Sequence, residues 1–187
     1  MSASISALTT SEQTDRPALT RAGWSKVSLV AFPHHRLREL WGWLRQDPAS
    51  NFDDTAPEDY EAFRAHQLAF AGTSRQLWGV EIDGELLGAI GFERLSRTTA
   101  MLRGICFDRT VHGSGAPRHA VARLLELAWA SGYRKISARY FVSNRRIRSF
   151  LQALGAVDEG YLKQETDQNG KPSDVRLVAF FAPKGAE

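Results

Sequence analysis

The sequence predicts a single α/β (α+β) domain in which strands and helices alternate around one sheet. Two observations carry this. Apolar residues switch several times between a period of two and a period near 3.6. The 187 residues, 43% of them hydrophobic and 24% charged, suit one core of ordinary size.

The elements follow in chain order. Residues 1–20 are Ser/Thr-rich and poor in bulky side chains, which predicts a flexible tail before a domain at 21–187. Val27 to Phe32 is a short apolar run and a first strand. His35 to Arg45 carries Leu37, Leu40, Trp41 and Leu44 at helical spacing, and Asp47-Pro48 stops it. On that wheel Trp41 continues the core face, and Trp43 lies off it. Pro57 to Phe70 reads as a second helix closed by Gly72.

Gln76 to Ile82 and Glu85 to Phe92 form a hairpin across Asp83-Gly84, a pair that tolerates the positive φ of a tight turn. Met101 to Phe107 is a further strand. A loop, Val111 to Pro117, then leads into a helix to about Ser131. Its Ala120, Val121, Leu124, Leu125, Ala128 and Trp129 make one face, and Gly132 ends it. Lys135 to Val142 is a strand. Asn144 caps a helix to Leu154, with Ile147, Phe150, Leu151 and Leu154 as its stripe and Gly155 as its C-cap. Val157 to Gln164 and Val175 to Phe181 are two last antiparallel strands, joined by turn formers that include Asn169-Gly170.

Composition excludes several classes. The single cysteine, Cys106, allows neither an internal disulfide nor a cysteine zinc cluster. The five histidines make no metal-binding pattern, so no metal is expected. No apolar run approaches a membrane span, and the first residues lack a secretory signal, so a cytoplasmic location fits. Net charge is +3 and the pI about 9.2, a mild basic balance. Interleaved aromatic and basic residues are missing, which argues against a nucleic-acid partner. Oligomeric state stays open, a dimer being compatible.

The chemistry lies in strand, Gly-rich loop and helix over residues 101–131. A helix start offers unpaired N–H groups and partial positive charge, and glycines let a phosphate approach the backbone. Gly113 and Gly115 stand where a diphosphate cradle needs them, though a G-x-G before a helix is also an ordinary tight turn. The loop is neither a Walker loop nor a full dinucleotide fingerprint.

Gly104-Ile105-Cys106-Phe107-Asp108, His112-Gly113-Ser114-Gly115-Ala116-Pro117, the Asn144…Leu154-Gly155…Glu159-Gly160 stretch, and Asn169-Gly170 with Asp174-Val175 occur in order. Together they resemble the GNAT acetyltransferases, and most of all the branch with the ribosomal-protein alanine N-acetyltransferases. The resemblance covers roughly residues 76–181. It implies a mixed, mostly antiparallel central sheet with helices on both faces, and a fourth strand splayed from the fifth.

It also implies N-acyl transfer from acetyl-coenzyme A to a primary amine, a protein N-terminus or a small molecule, by direct transfer in a ternary complex. Carried over, Ile105 and Phe107 offer backbone to the pantetheine arm beside Cys106. Gly113, Ser114, Gly115 and Ala116 cradle phosphate next to His112, and Asn144 meets the cofactor. Pro117 departs from the family's Gly/Ala and lacks an N–H, a loss that Arg118 offsets as a charged donor. Phe150 stands where many relatives have a tyrosine that protonates the leaving thiolate. Glu93, at the end of the third strand, is the expected general base; otherwise it is a solvated strand-end carboxylate. Arg145, Arg146 and Arg148 meet either coenzyme phosphates or an acidic acceptor, or form a solvated face. Two further readings remain: a nucleic-acid-directed relative, and a coenzyme-binding domain without turnover.

Overall fold

The computed structural model describes residues 26–46, 59–69, 73–168 and 171–183. The predicted tail, Asp47-Pro48, Pro57, Phe70, Gly72 and the Asn169-Gly170 turn lie outside them.

Seven strands form one sheet in the order β1-β2-β3-β4-β5-β7-β6. They are β1 Val27–Ala31, β2 Arg75–Ile82, β3 Glu85–Arg94, β4 Thr99–Phe107, β5 Lys135–Phe141, β6 Val157–Gln168 and β7 Lys171–Phe181. All neighbours are antiparallel except β4 and β5. The helices are α1 Leu37–Gln46, α2 Tyr60–Ala69, α3 Ala116–Ala130 and α4 Arg145–Ala153. The element order is the one the sequence predicts.

Alternation along β3 divides the core in two. Ile90 and Phe92 point into a cluster with Val121, Leu124 and Ala128 of α3 and Leu151 of α4. Ala89 points the other way, into a cluster with Leu37, Leu40 and Trp43 of α1 and Phe63 of α2. Helices therefore cover both faces, each presenting one apolar stripe. Each fully buried Leu or Phe contributes about 2 kcal/mol through area removed from water.

Three turns obey their residues. Asp83 and Gly84 adopt φ of 53° and 85°, as a two-residue hairpin loop requires. Gly115 precedes α3 at φ 91°, and Gly155 follows α4 at φ 91°. Asn144 Oδ1 accepts from the Ile147 N–H at 3.1 Å and caps α4.

The last hairpin is longer than expected, because the ladder extends to Gln168 and Lys171. The helix expected from His35 starts as a 3-10 turn, His34–Arg36, before α1. The two tryptophans of α1 exchange their expected places. Trp43 is buried and its indole bonds the Asp108 carboxylate; Trp41 is half-buried, edge-on to Tyr60 at 5.7 Å.

Candidate functional site

The parallel pair β4/β5 is the opening in the sheet. Its register runs only through Thr99↔Lys135, Ala100↔Ile136 and Met101↔Ser137. Beyond Met101 the strands part, and β4 from Leu102 to Phe107 keeps only its β3 partner. A strand edge without a partner offers a row of N–H and C=O groups.

A cavity of about 300 Å³ sits at this edge. Its walls come from Ile105, Cys106 and Phe107 of β4, from His112, Gly113 and Gly115 of the loop, from Pro117 and Arg118 of α3, and from Asn144, Arg146, Ile147 and Phe150 around α4. Nine of the residues anticipated from the sequence as cofactor contacts are thus neighbours around one space. Ser114 and Ala116 are not among its walls. Their N–H groups are committed inside the loop: Ser114 N–H donates to Val111 O at 3.2 Å, and Ala116 N–H to Ser114 Oγ at 3.1 Å. The four-residue cradle therefore narrows. The N–H groups of Gly115 and Arg118 have no hydrogen-bond partner among the described residues.

Pro117 lies in the first turn of α3, where its missing N–H breaks no helical bond. The Arg118 guanidinium donates to Ala153 O at 2.6 Å, tying the start of α3 to the end of α4 across the cavity rim. His112 Nε2 lies 3.2 Å from Phe107 O. A carbonyl can only accept, so this nitrogen carries the proton. Asp108 takes hydrogen bonds from Thr110 Oγ1 and N–H, and these, with Trp43, hold its carboxyl below the usual range. Arg109 also donates to Gln46 O. The exit of β4 is so fastened to α1.

Burial pushes the Cys106 thiol up to about 12, so it stays protonated and cannot serve as a thiolate nucleophile. Cys106 is a wall residue.

Glu93, the expected general base, is held in ion pairs. Its carboxylate lies 2.7 Å from Arg103 Nε and 3.4 Å from Arg75 Nε. Burial alone would raise its pKa, but the Arg103 hydrogen bond and charge, with the Arg75 charge, hold it below 4.5. Glu93 does not border the cavity. Ile147 and Arg146 do. Ile147 was legible only as part of a buried stripe, whereas Arg146 was one of three arginines read as meeting coenzyme phosphates, an acidic acceptor or solvent.

Among the described residues no three His, Cys, Asp or Glu side chains gather as a metal site, and no helix is long and apolar enough to cross a membrane.

Residues 37–156 match the model of the acetyltransferase (GNAT) family. The chain belongs to the GNAT family. The uncharacterized N-acetyltransferase YoaA of Bacillus subtilis (strain 168) is 26% identical over 111 residues, 57% of this chain; the match spans 63% of that relative's length. Among solved structures, spermidine N-acetyltransferase from Vibrio cholerae, in complex with CoA and spermine, superposes with a TM-score of 0.73 at 19% identity. It covers 83% of this chain and 95% of that one. A probable GNAT acetyltransferase from Chromobacterium violaceum ATCC 12472 gives 0.72 at 21%, covering 92% and 96%. Both establish the same fold in this GNAT chain. The narrower likeness to the ribosomal-protein alanine branch has no counterpart among these relatives.

Proposed function

We propose that this chain moves the acetyl group of acetyl-coenzyme A to the nitrogen of a primary amine, by direct attack within a ternary complex. The observation that carries the reading is the cavity where β4 leaves β5. It joins a free strand edge, two unpartnered amides at the start of α3 and the start of α4.

The residues present fit such a donor. The Gly115 and Arg118 N–H groups, at a helix start, suit a diphosphate. The open edge of β4 suits the amides of a pantetheine arm. Acetyl-coenzyme A supplies a thioester, whose carbonyl carbon is open to attack.

The amine nitrogen forms the new C–N bond as the C–S bond breaks and sulfur leaves with the electron pair. A β4 backbone N–H facing the gap stabilises the charge that builds on the carbonyl oxygen. An alkyl thiol has a pKa near ~8.5, so the thiolate is a tolerable leaving group and takes its proton from water. Phe150 on the wall donates none. With Glu93 locked in its ion pairs, the amine's proton also goes to water. An α-amine, with pKa near ~8, is deprotonated often enough for that; a lysine, near ~10.4, much less so. Protein or peptide N-termini and weakly basic small amines are the acceptors this site favours.

Thiol release from acetyl-coenzyme A tests the reading against a panel of peptide N-termini, amino acids, polyamines and lysine side chains. Amine-dependent release is expected, greatest with the amines of lower pKa. Binding of the donor without release for any amine would assign coenzyme binding without transfer.

A further inference from the structure

The gap between β4 and β5 has two faces. Its cavity takes walls from α3 and α4, so a donor enters from that side. Cys106 also lines the cavity yet packs in the cluster under α1 and α2, so the gap reaches the other face as well. A second reactant is left that other face.

Side-chain alternation says which groups stand there. Ala100 and Leu102 of β4, and Ile136, Ala138 and Tyr140 of β5, pack on the α3/α4 side. Met101 and Arg103, and Ser137 and Arg139, therefore stand on the α1/α2 side. Met101↔Ser137 is the last registered pair of the two strands. Arg103 and Arg139 each come two residues later, one on either bank of the parting. Among the described residues, the α1/α2 cluster draws none from β5 or β7.

The charges at this opening do not balance. Arg103 and Arg75 share one carboxylate, Glu93, at 2.7 and 3.4 Å. Arg103 spends only its Nε on Glu93, and its two terminal amino groups have no hydrogen-bond partner among the described residues. Its side chain is only 27% exposed. A guanidinium so far withdrawn from water is costly unless its remaining donors meet an acceptor. Arg139 donates to Glu165 at 3.0 Å and is 23% exposed. Two cations around one anion leave an excess of positive charge on the β4 bank, and Arg139 adds a further donor group opposite.

We propose that this face selects amines that also carry a carboxylate, which Arg103 binds and Arg139 attracts from across the gap. This rests on the acetyl-transfer reading above and narrows its acceptor. A guanidinium holds a carboxylate through two parallel N–H donors, a fixed geometry that orients the rest of the molecule. Amino acids and short peptides with free C-termini fit such a site. Polyamines, cationic throughout, do not.

The test measures acceptor Kd by titration calorimetry with coenzyme A present, which has no acetyl group to give. Glycylglycine and glycylglycinamide both carry an α-amine of pKa near ~8, so they differ in the carboxylate alone. Glycylglycine should bind at least tenfold tighter than its amide, and spermidine more weakly than glycylglycine. In Arg103→Gln, Glu93 keeps Arg75 as its partner. That variant and Arg139→Gln should each cut the preference at least threefold. Arg123→Gln removes the same charge from α3 on the opposite face, where Arg123 pairs with Glu126, and should keep the preference within twofold. The ratio of KM values in transfer should follow the ratio of Kd values.

Equal affinity for the two dipeptides, no measurable binding of glycylglycine, tighter binding of spermidine, or a preference that survives Arg103→Gln overturns the proposal. Should Arg103→Gln fail to fold, salt decides on the unaltered chain. The preference should shrink as ionic strength rises, and a preference indifferent to salt overturns the proposal. Lack of transfer to any amine is a different failure. It removes the acetyl-transfer reading, while the Kd ratio, read without an acetyl group, still judges the carboxylate site.

Discussion

At the scale of single residues, Glu93 is the residue on which the proposed fate of the amine's proton turns. A carboxylate shared by Arg103 and Arg75 contributes stability. Its folded pKa lies below the ordinary 4.5. The stabilisation is therefore complete above about pH 4.5 and fades as pH falls through the lower folded value. Glu93→Gln leaves two half-buried guanidiniums without their anion, and should cost about 1–3 kcal/mol in denaturant unfolding at pH 7. The pH profile of kcat should keep its shape. A lost acidic limb, with stability unchanged, would restore Glu93 as the base. The sequence shows Glu93 at a strand end but not its partners. Arg75 and Arg103 meet it only through the pairing of three strands. Cys106 was simpler: a small thiol among apolar strand residues reads as wall, and it is buried.

At the scale of elements, α4 joins stability to the site. Its N-cap, Asn144, is buried, bonds the Ile147 N–H and lines the cavity. Asn144→Ala should destabilise by about 1 kcal/mol through loss of the cap. It should also weaken acetyl-coenzyme A several-fold, as titration calorimetry would show; Asn144→Ser, which keeps the cap, should restore stability but not affinity. Equal recovery of both would make Asn144 a cap only. The cap, the stripe and the closing Gly155 were all legible, since each is a local signal within one turn of the helix. The α1 tryptophans were not. A helical wheel ranks residues by the apolar company they keep on one helix. Trp43 is drawn inward by Asp108, 65 positions along the chain, a contact that the wheel does not contain. Likewise the glycine-rich loop predicted a phosphate cradle, but not that the Ser114 hydroxyl, accepting from Ala116, takes up one of its expected donors.

At the scale of the whole molecule, the fold creates the site by what it leaves unpaired. Helices on both faces hold β4 against β3, while three registered pairs anchor it to β5 before the strands part. Alternating periods and turn residues sufficed to read the order of elements, because each signal is local. The parting of β4 from β5 came from family likeness, since no local pattern encodes a missing neighbour. The account's central claim is that this parting, with the loop at the start of α3, receives acetyl-coenzyme A. Titration calorimetry of the unaltered chain beside Gly115→Asp and Gly132→Asp tests it most directly. Both glycines sit at positive φ, 91° and 87°, at opposite ends of α3, so the backbone cost is matched. Only Gly115 borders the cavity, where an aspartate sets negative charge against a diphosphate. Micromolar binding by the unaltered chain and by Gly132→Asp, with at least tenfold loss in Gly115→Asp, is the predicted result. Equal affinity in all three, or no binding by the unaltered chain, would contradict it.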